Sequence, residues 1–345
     1  MTTTTTPDKQ GIGTRFLSLA RTDAHVTRLV VILLALLVTF AAIRPGNFAN
    51  SYTWISMAVS FPEFGLMALG VMVCMVTGGI DLSVVGIANL SSIIAAMVML
   101  ALAPGGSGTA IGAAIAIALV VGALAGILNG ILVAVVKIPA ILATLGTLEL
   151  FIGISIVLTA GSPISGLPPE YSALMAARLG GVLPMQFVVF LVAVALVALI
   201  MGRTTFGTKI YMLGTNATSA KFSGLSSVSL LIRTYLFSGI LSAMAGLVML
   251  ANYNSAKADY GVVYTLLTVL IVVLGGVNPN GGSGRLIGVV LAIVILQILS
   301  SGLNLFPEIS NFYRDLIWGG VLLLVIATSE ITARNPFKRK QKEVS

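Results

Sequence analysis

About ten apolar runs of near membrane length follow one another along this chain, and that succession limits the possible folds more than any single motif does. A spanning helix needs about 20 largely apolar residues to cross a hydrocarbon layer about 30 Å thick. Runs that meet this description fall at 29–43, 55–76, 84–102, 111–136, 138–159, 183–201, 228–251, 262–277, 286–306 and 312–327. The first and last are short, and the fourth is long enough to tilt or to break at its glycines. Every backbone N–H and C=O inside a bilayer has to be paired within the protein, so the expected fold class is all-α, a polytopic integral membrane protein. Composition agrees: 57% of residues are hydrophobic, 9% are charged and the mean hydropathy is +1.07. Three regions are expected: a disordered lead at 1–28, a transmembrane domain at 29–330 and a basic tail at 331–345.

Charge gives the orientation, because cytoplasmic loops collect Lys and Arg. With both termini inside, Lys9, Arg15, Arg21, Arg28, Lys137, Arg203, Lys209, Lys221, Arg233, Arg285, Arg334 and the 338–342 cluster are cytoplasmic. Only Arg44, Arg178, Lys257 and Arg314 fall outside. The formal charge of +8 is therefore a property of the inner surface, and nucleic-acid binding is not needed to explain it. The single cysteine, Cys74, excludes a disulfide within the chain. No Glu-x-x-His or Cys-x-x-Cys pair is present, so neither a metal centre nor an intramembrane enzyme is expected.

Thr77-Gly78-Gly79-Ile80-Asp81-Leu82-Ser83 interrupts the apolar sequence with a glycine pair and a carboxylate. Such a break is tolerated at membrane depth only where protein or a watery cavity surrounds it, which points to transport. Gly78, Gly79, Gly275 and Gly276 are candidate hinges, with close helix packing as the competing reading. Asp81 is expected to cap a helix beginning at Leu82. Polar groups within the spans define a candidate solute pathway: Glu63, Asn89, Asn129, Glu149 and Gln297. The amides can donate and accept as a hydroxylated solute requires, or can bond between helices. Glu149 lies mid-helix, where a charge needs a partner or water. Glu63 follows Pro62 and faces a cavity entrance or marks a kink. Tyr253, Tyr260 and Trp318 are assigned to the interfacial aromatic belt. Outside, Glu170, Asp259, Glu308 and Asp315, with Lys257 and Arg314, offer a charged docking face or ordinary solvated loops.

In the longest inner connection, Asn216 or Thr215 can cap a short helix from Ala217 through Ala220 and Lys221 to Phe222, with Gly224 as a left-handed stop. A short rim helix suits a groove on another protein, or is an ordinary surface turn.

The 77–83 interruption resembles a known permease class, together with Asn129-Gly-Ile-Leu-Val133, Ala143-Thr-Leu-Gly-Thr147, the 220–225 loop, and Gly275-Gly276 through Gly281-Gly-Ser-Gly284 to Ser301-Gly-Leu-Asn-Leu305. That class is the ribose/xylose/rhamnose and autoinducer-2 type of ATP-binding-cassette importer permease, and the likeness runs from about residue 47 to 330. The chain departs from its pattern at Val85, at Pro62-Glu63 and at Glu149. The resemblance implies a bacterial inner-membrane subunit that pairs with a second permease, identical or not. It further implies separate ATPases that bind ATP and magnesium, an external solute-binding protein, and a coupling helix at Ala217 to Leu225. No G-x-x-x-x-G-K-[ST] loop occurs, so this chain itself is expected to bind no cofactor. The alternative reading is a proton-coupled secondary transporter of a small polar solute, with Glu149 as relay.

Overall fold

A computed structural model of the chain describes residues 24–102 and 108–304, with positions 316, 319, 320 and 323. Residues 1–23 of the lead expected at 1–28, nearly all of the span at 312–327, the tail, and Glu308, Arg314, Asp315 and Trp318 lie outside the described residues. The helices are α1 (Ala24–Ile43), α2 (Pro45–Phe48), α3 (Ser51–Ser60), α4 (Pro62–Val76), α5 (Val84–Leu102), α6 (Gly108–Ala134), α7 (Ala140–Thr159), α8 (Pro169–Ala176), α9 (Met185–Arg203), α10 (Thr205–Thr215), α11 (Ala217–Phe222), α12 (Ser227–Tyr253), α13 (Tyr264–Leu274) and α14 (Leu286–Leu303). Four two-residue strands complete the order: β1 (Ile164–Ser165), β2 (Arg178–Leu179), β3 (Leu183–Pro184) and β4 (Ser255–Ala256), of which β1 pairs with β4 and β2 with β3, both antiparallel.

Seven described helices, α1, α5, α6, α7, α9, α12 and α14, are long and apolar enough to cross a membrane, and the pair α3 and α4 makes an eighth. That pair bends by 43° where Pro62 starts α4, because proline has no N–H for the preceding turn. The run at 262–277 forms only α13, whose 11 residues span about 16 Å. It is a short element packed inside the bundle and not the full crossing expected. Residues 24–28 are helical, so α1 begins inside the segment expected to be disordered.

The bundle has an interior layer and a periphery. Of the most apolar stretches of α5 and α12, 72% is buried, and every residue of α4 is buried, whereas only 11% of α1 is. The closest seam joins α6 to α12. Gly122, Gly126 and Gly130 recur at intervals of four and face Gly239, the Tyr235 carbonyl and Ile232 Cα. Four-residue spacing puts them on one helix face, and the missing side chains let the backbones touch. The long fourth run is thus one unbroken 27-residue helix whose glycines serve packing, not a break. Phe190 of α9 lies over Gly65 and stacks edge-on against Phe61 at 4.9 Å, and Phe40 of α1 fills the space above Gly302 of α14.

Candidate functional site

Cations and chain breaks gather at one end of the bundle. Gly282 N–H donates to the Val76 carbonyl at 2.9 Å, and the backbones of Gly78, Gly214 and Gly281 lie against one another. Lys137, Arg203, Lys209, Lys221 and Arg285 sit in or beside these breaks. His25 belongs here too, in α1 and not in a loose leader: its Nε2 is 3.1 Å from the Leu274 carbonyl, and its ring covers Gly276. The glycine pairs divide their work. Gly78 and Gly276 adopt φ of +85° and +86°, which only glycine takes without strain, and so turn the chain. Gly79 and Gly275 allow close approach, since a Cβ would stand 2.6 Å from Tyr235 Oη and 2.7 Å from Val289 Cα respectively.

Asp81 is wholly buried in this end, but it does not cap a helix starting at Leu82. Helix α5 starts at Val84, and Ser83 accepts its first bond from Ile87 N–H at 2.9 Å. Asp81 instead closes a turn: Oδ1 accepts from Ser83 N–H at 3.0 Å and from Ser83 Oγ at 2.6 Å. Its Oδ2 accepts from Ser238 Oγ of α12 at 2.7 Å. The donors continue outward, with Asn129 Nδ2 donating to Ser83 Oγ at 2.7 Å and Thr147 Oγ1 to Asn129 Oδ1 at 2.7 Å. One enclosed string of bonds therefore ties α5, α6, α7 and α12 together. Asn129, a candidate for the solute pathway or for bonding between helices, is held inside it on both sides of its amide, in the second role.

On this same end, Asn216 caps α11 by accepting from Ser219 N–H at 2.9 Å. Gly224 ends it at φ +76°, with Leu225 N–H returning to the Ala220 carbonyl at 3.1 Å. Ala220 is buried while Phe222 is 89% exposed, so the short helix is anchored on one side and presents an aromatic on the other.

The opposite end contains a polar cavity. It has a volume of about 370 Å³, at the lower end of the range for ligand sites. Residues from α3, α4, α12, α13 and α14 line it: Ser56, Ser60, Glu63, Asn252, Tyr253, Tyr264, Gln297, Ser300, Ser301 and Asn304, with Val59 and Phe64 as apolar walls. Glu63, 3% exposed, anchors it. Oε1 accepts from Asn252 Nδ2 at 2.7 Å, and Oε2 from the phenols of Tyr253 at 2.8 Å and Tyr264 at 3.2 Å. Asn252 also donates to the Val59 carbonyl at 3.1 Å beside the Pro62 kink, and its Oδ1 accepts from Gln186 Nε2 at 3.1 Å. The kink, the end of α12 and the start of α13 thus converge on one carboxylate. Among the described residues lining the cavity there is no cation.

Two of the five expected pathway residues, Glu63 and Gln297, meet here. Asn89 does not. Its Nδ2 donates to the carbonyls of Ala258 at 2.8 Å and Tyr260 at 2.9 Å, pinning the loop that follows β4. Glu149 is apart from both ends. It is exposed on a face of α7 with Leu142, Gly146 and Gly153, where added Cβ atoms at both glycines would meet nothing within 4 Å. Tyr253, assigned to an aromatic belt, is a carboxylate ligand in the cavity, tilted against Tyr260 at 5.0 Å. Sequence reasoning missed Asn252, Tyr264 and the Ser300-Ser301 pair. The signal available was the run of polar residues at the ends of two apolar stretches, but nothing in a single sequence tells which helix ends meet.

Residues 53–326 match the family described as the permease component of a branched-chain amino acid transport system. The ribose import permease protein of Bacillus subtilis is 33% identical over 296 residues, covering 85% of this chain and 89% of the relative. The autoinducer 2 import system permease protein of Yersinia enterocolitica is 34% identical over 296 residues, covering 85% and 80%, and that of Photorhabdus laumondii 31% over 261 residues, covering 76% of each. No solved structure matches the chain. With the spans, the breaks and the polar cavity in place, this multi-pass membrane chain is a transporter subunit and not an enzyme, and it belongs to the permease-component family.

Proposed function

We propose that the chain forms half of the passage of an ATP-driven importer and carries a neutral, sugar-like solute. The cavity's charge carries this reading. An amino acid presents a carboxylate, whereas the described lining offers no cation and a single carboxylate, already bonded to three neutral donors. Amides, phenols and serine hydroxyls suit a polyol, which asks for many neutral donors and acceptors. Relatives named for ribose import and autoinducer 2 import support the same solute class.

By the positive-inside rule the basic end faces the cytoplasm of a bacterial inner membrane, with both termini there. Helix α11, with Phe222 exposed, then seats in an ATPase subunit that holds ATP and magnesium. ATP-driven closure shifts the passage through differential contacts at that helix. The cavity end faces outward to a solute-binding protein, with Glu170, Lys257 and Asp259 on its rim. A second permease covers the Glu149 face, because a charge at mid-membrane would otherwise cost about 3 kcal/mol.

Calorimetry on the partner binding protein tests the solute class: a monosaccharide is expected to bind, and capture of leucine or isoleucine alone would overturn it. In reconstituted complexes, Gly224→Val should reduce solute-stimulated ATP hydrolysis, since a β-branched residue is strained by about 1–2 kcal/mol at positive φ. Uptake that persists without ATP on a proton gradient would remove the ATPase reading.

A further inference from the structure

The basic end holds a second cavity, bordered on one side by Gly224 and Leu225 at the end of the rim helix. It measures about 290 Å³ and lies between the start of α10 and the start of α12, floored by Leu230 and flanked by Thr205, Lys209, Ser226, Ser229 and Arg233. Lys209 and Arg233 make no ion pair among the described residues, where the one such pair joins Lys257 to Asp259. The described carboxylates are Glu63, Asp81, Glu149, Glu170 and Asp259, and the only one near, Asp81, is wholly enclosed by its own hydroxyl donors.

Two cations without an ion pair among the described residues converge with three hydroxyls and the first turn of a 27-residue helix, where Ser226 Oγ accepts from Ser229 N–H at 3.4 Å. This donor set matches the several oxygens of a phosphate ester. Depth decides the source. Arg233 stands six residues into α12, about 9 Å from its tip, and is exposed. Helix α12 is of membrane length, so Arg233 is displaced toward the bilayer from the chain break that precedes the helix. Met212, one turn on from Lys209 along the same face of α10, is 46% exposed and gives an acyl chain an apolar surface beside the cations.

We propose that this groove binds the phosphodiester headgroup of an anionic lipid. The site clamps α10 to α12 on either side of α11, so the bound lipid steadies the mount of the rim helix. The inference rests on the chain being embedded in a membrane and is independent of the solute carried.

The test uses the full permease, purified and stripped of lipid, with retained lipid read by native mass spectrometry. Phosphatidylglycerol should stay bound where phosphatidylcholine does not, and the double variant Lys209→Gln with Arg233→Gln should bind it about thirtyfold more weakly. Lys137→Gln, at the same end but outside the groove, should bind it normally. Equal retention by the double variant, or no preference over phosphatidylcholine, overturns the proposal. So does displacement of the lipid by inorganic phosphate at equal affinity, which would make the groove a free-anion site. Should the double variant fail to fold, Lys209→Gln alone should weaken retention while Arg233→Lys keeps it, and identical retention by these two is equally fatal.

Discussion

Helix α4 has a buried carboxylate at its first turn and another just beyond its last, and the two are housed in opposite ways. Both lack a cationic partner among the described residues, and both accept from neutral donors. Asp81 sits in a closed string of bonds that unites four elements and leaves no space around it. Glu63 sits on a cavity of about 370 Å³, held by the ends of other helices. The difference is access, not chemistry. A carboxylate at a chain break organises the break, whereas one at a proline kink borders the space that the kink opens.

Substitutions can break that contrast. The largest effect is expected from Asp81→Ala, which leaves Ser83 and Ser238 hydroxyls buried without their acceptor and should cost about 3 kcal/mol, read as a fall in melting temperature in detergent. Glu63→Gln keeps the side-chain size but removes the carboxylate that borders the cavity, and should import about tenfold more slowly with a smaller fall in melting temperature than Asp81→Ala. If the two variants exchanged these phenotypes, the assignment of structure to one carboxylate and passage to the other would be reversed. Thr147→Val cuts the outermost link of the Asp81 string and should destabilise by about 1 kcal/mol with transport intact. The smallest effect belongs to the exposed pair Lys257 and Asp259, 2.9 Å apart. The hydrogen bond and charge of Asp259 raise the Lys257 ammonium above its usual pKa. The stability that follows is present below the ordinary lysine value and disappears only as pH rises through the raised one. Asp259→Asn should therefore lower the melting temperature slightly at neutral pH, the pair being exposed, and the difference from the parent should vanish above the raised lysine value.

Much of the fold was legible because apolar length is a local property. The spans at 84–102 and 138–159 reappear as α5 and α7 with ends displaced by no more than two residues. The rim helix was legible for the same reason: Asn216 and Gly224 are cap and stop within one short segment. The site was not. Glu63 and Gln297 are far apart in sequence, and their meeting depends on how α4 bends and where α12 ends. Burial was equally hidden, since α5 and α1 read alike in hydropathy although one is interior and the other peripheral. Asn89 and Asn129 stayed open between solute contact and interhelical bonding, because an amide in an apolar run has the same sequence signature whether it faces a cavity or a carbonyl.

The seam of α6 on α12 has a mechanical consequence. Where Gly122, Gly126 and Gly239 bring main chain onto main chain, no rotamer is available to slide or re-register, so the two helices behave as one stiff beam. Alternation between open states then falls to the outlying helices around that keel, and a spin-label distance measured across the seam should hold constant through every turnover.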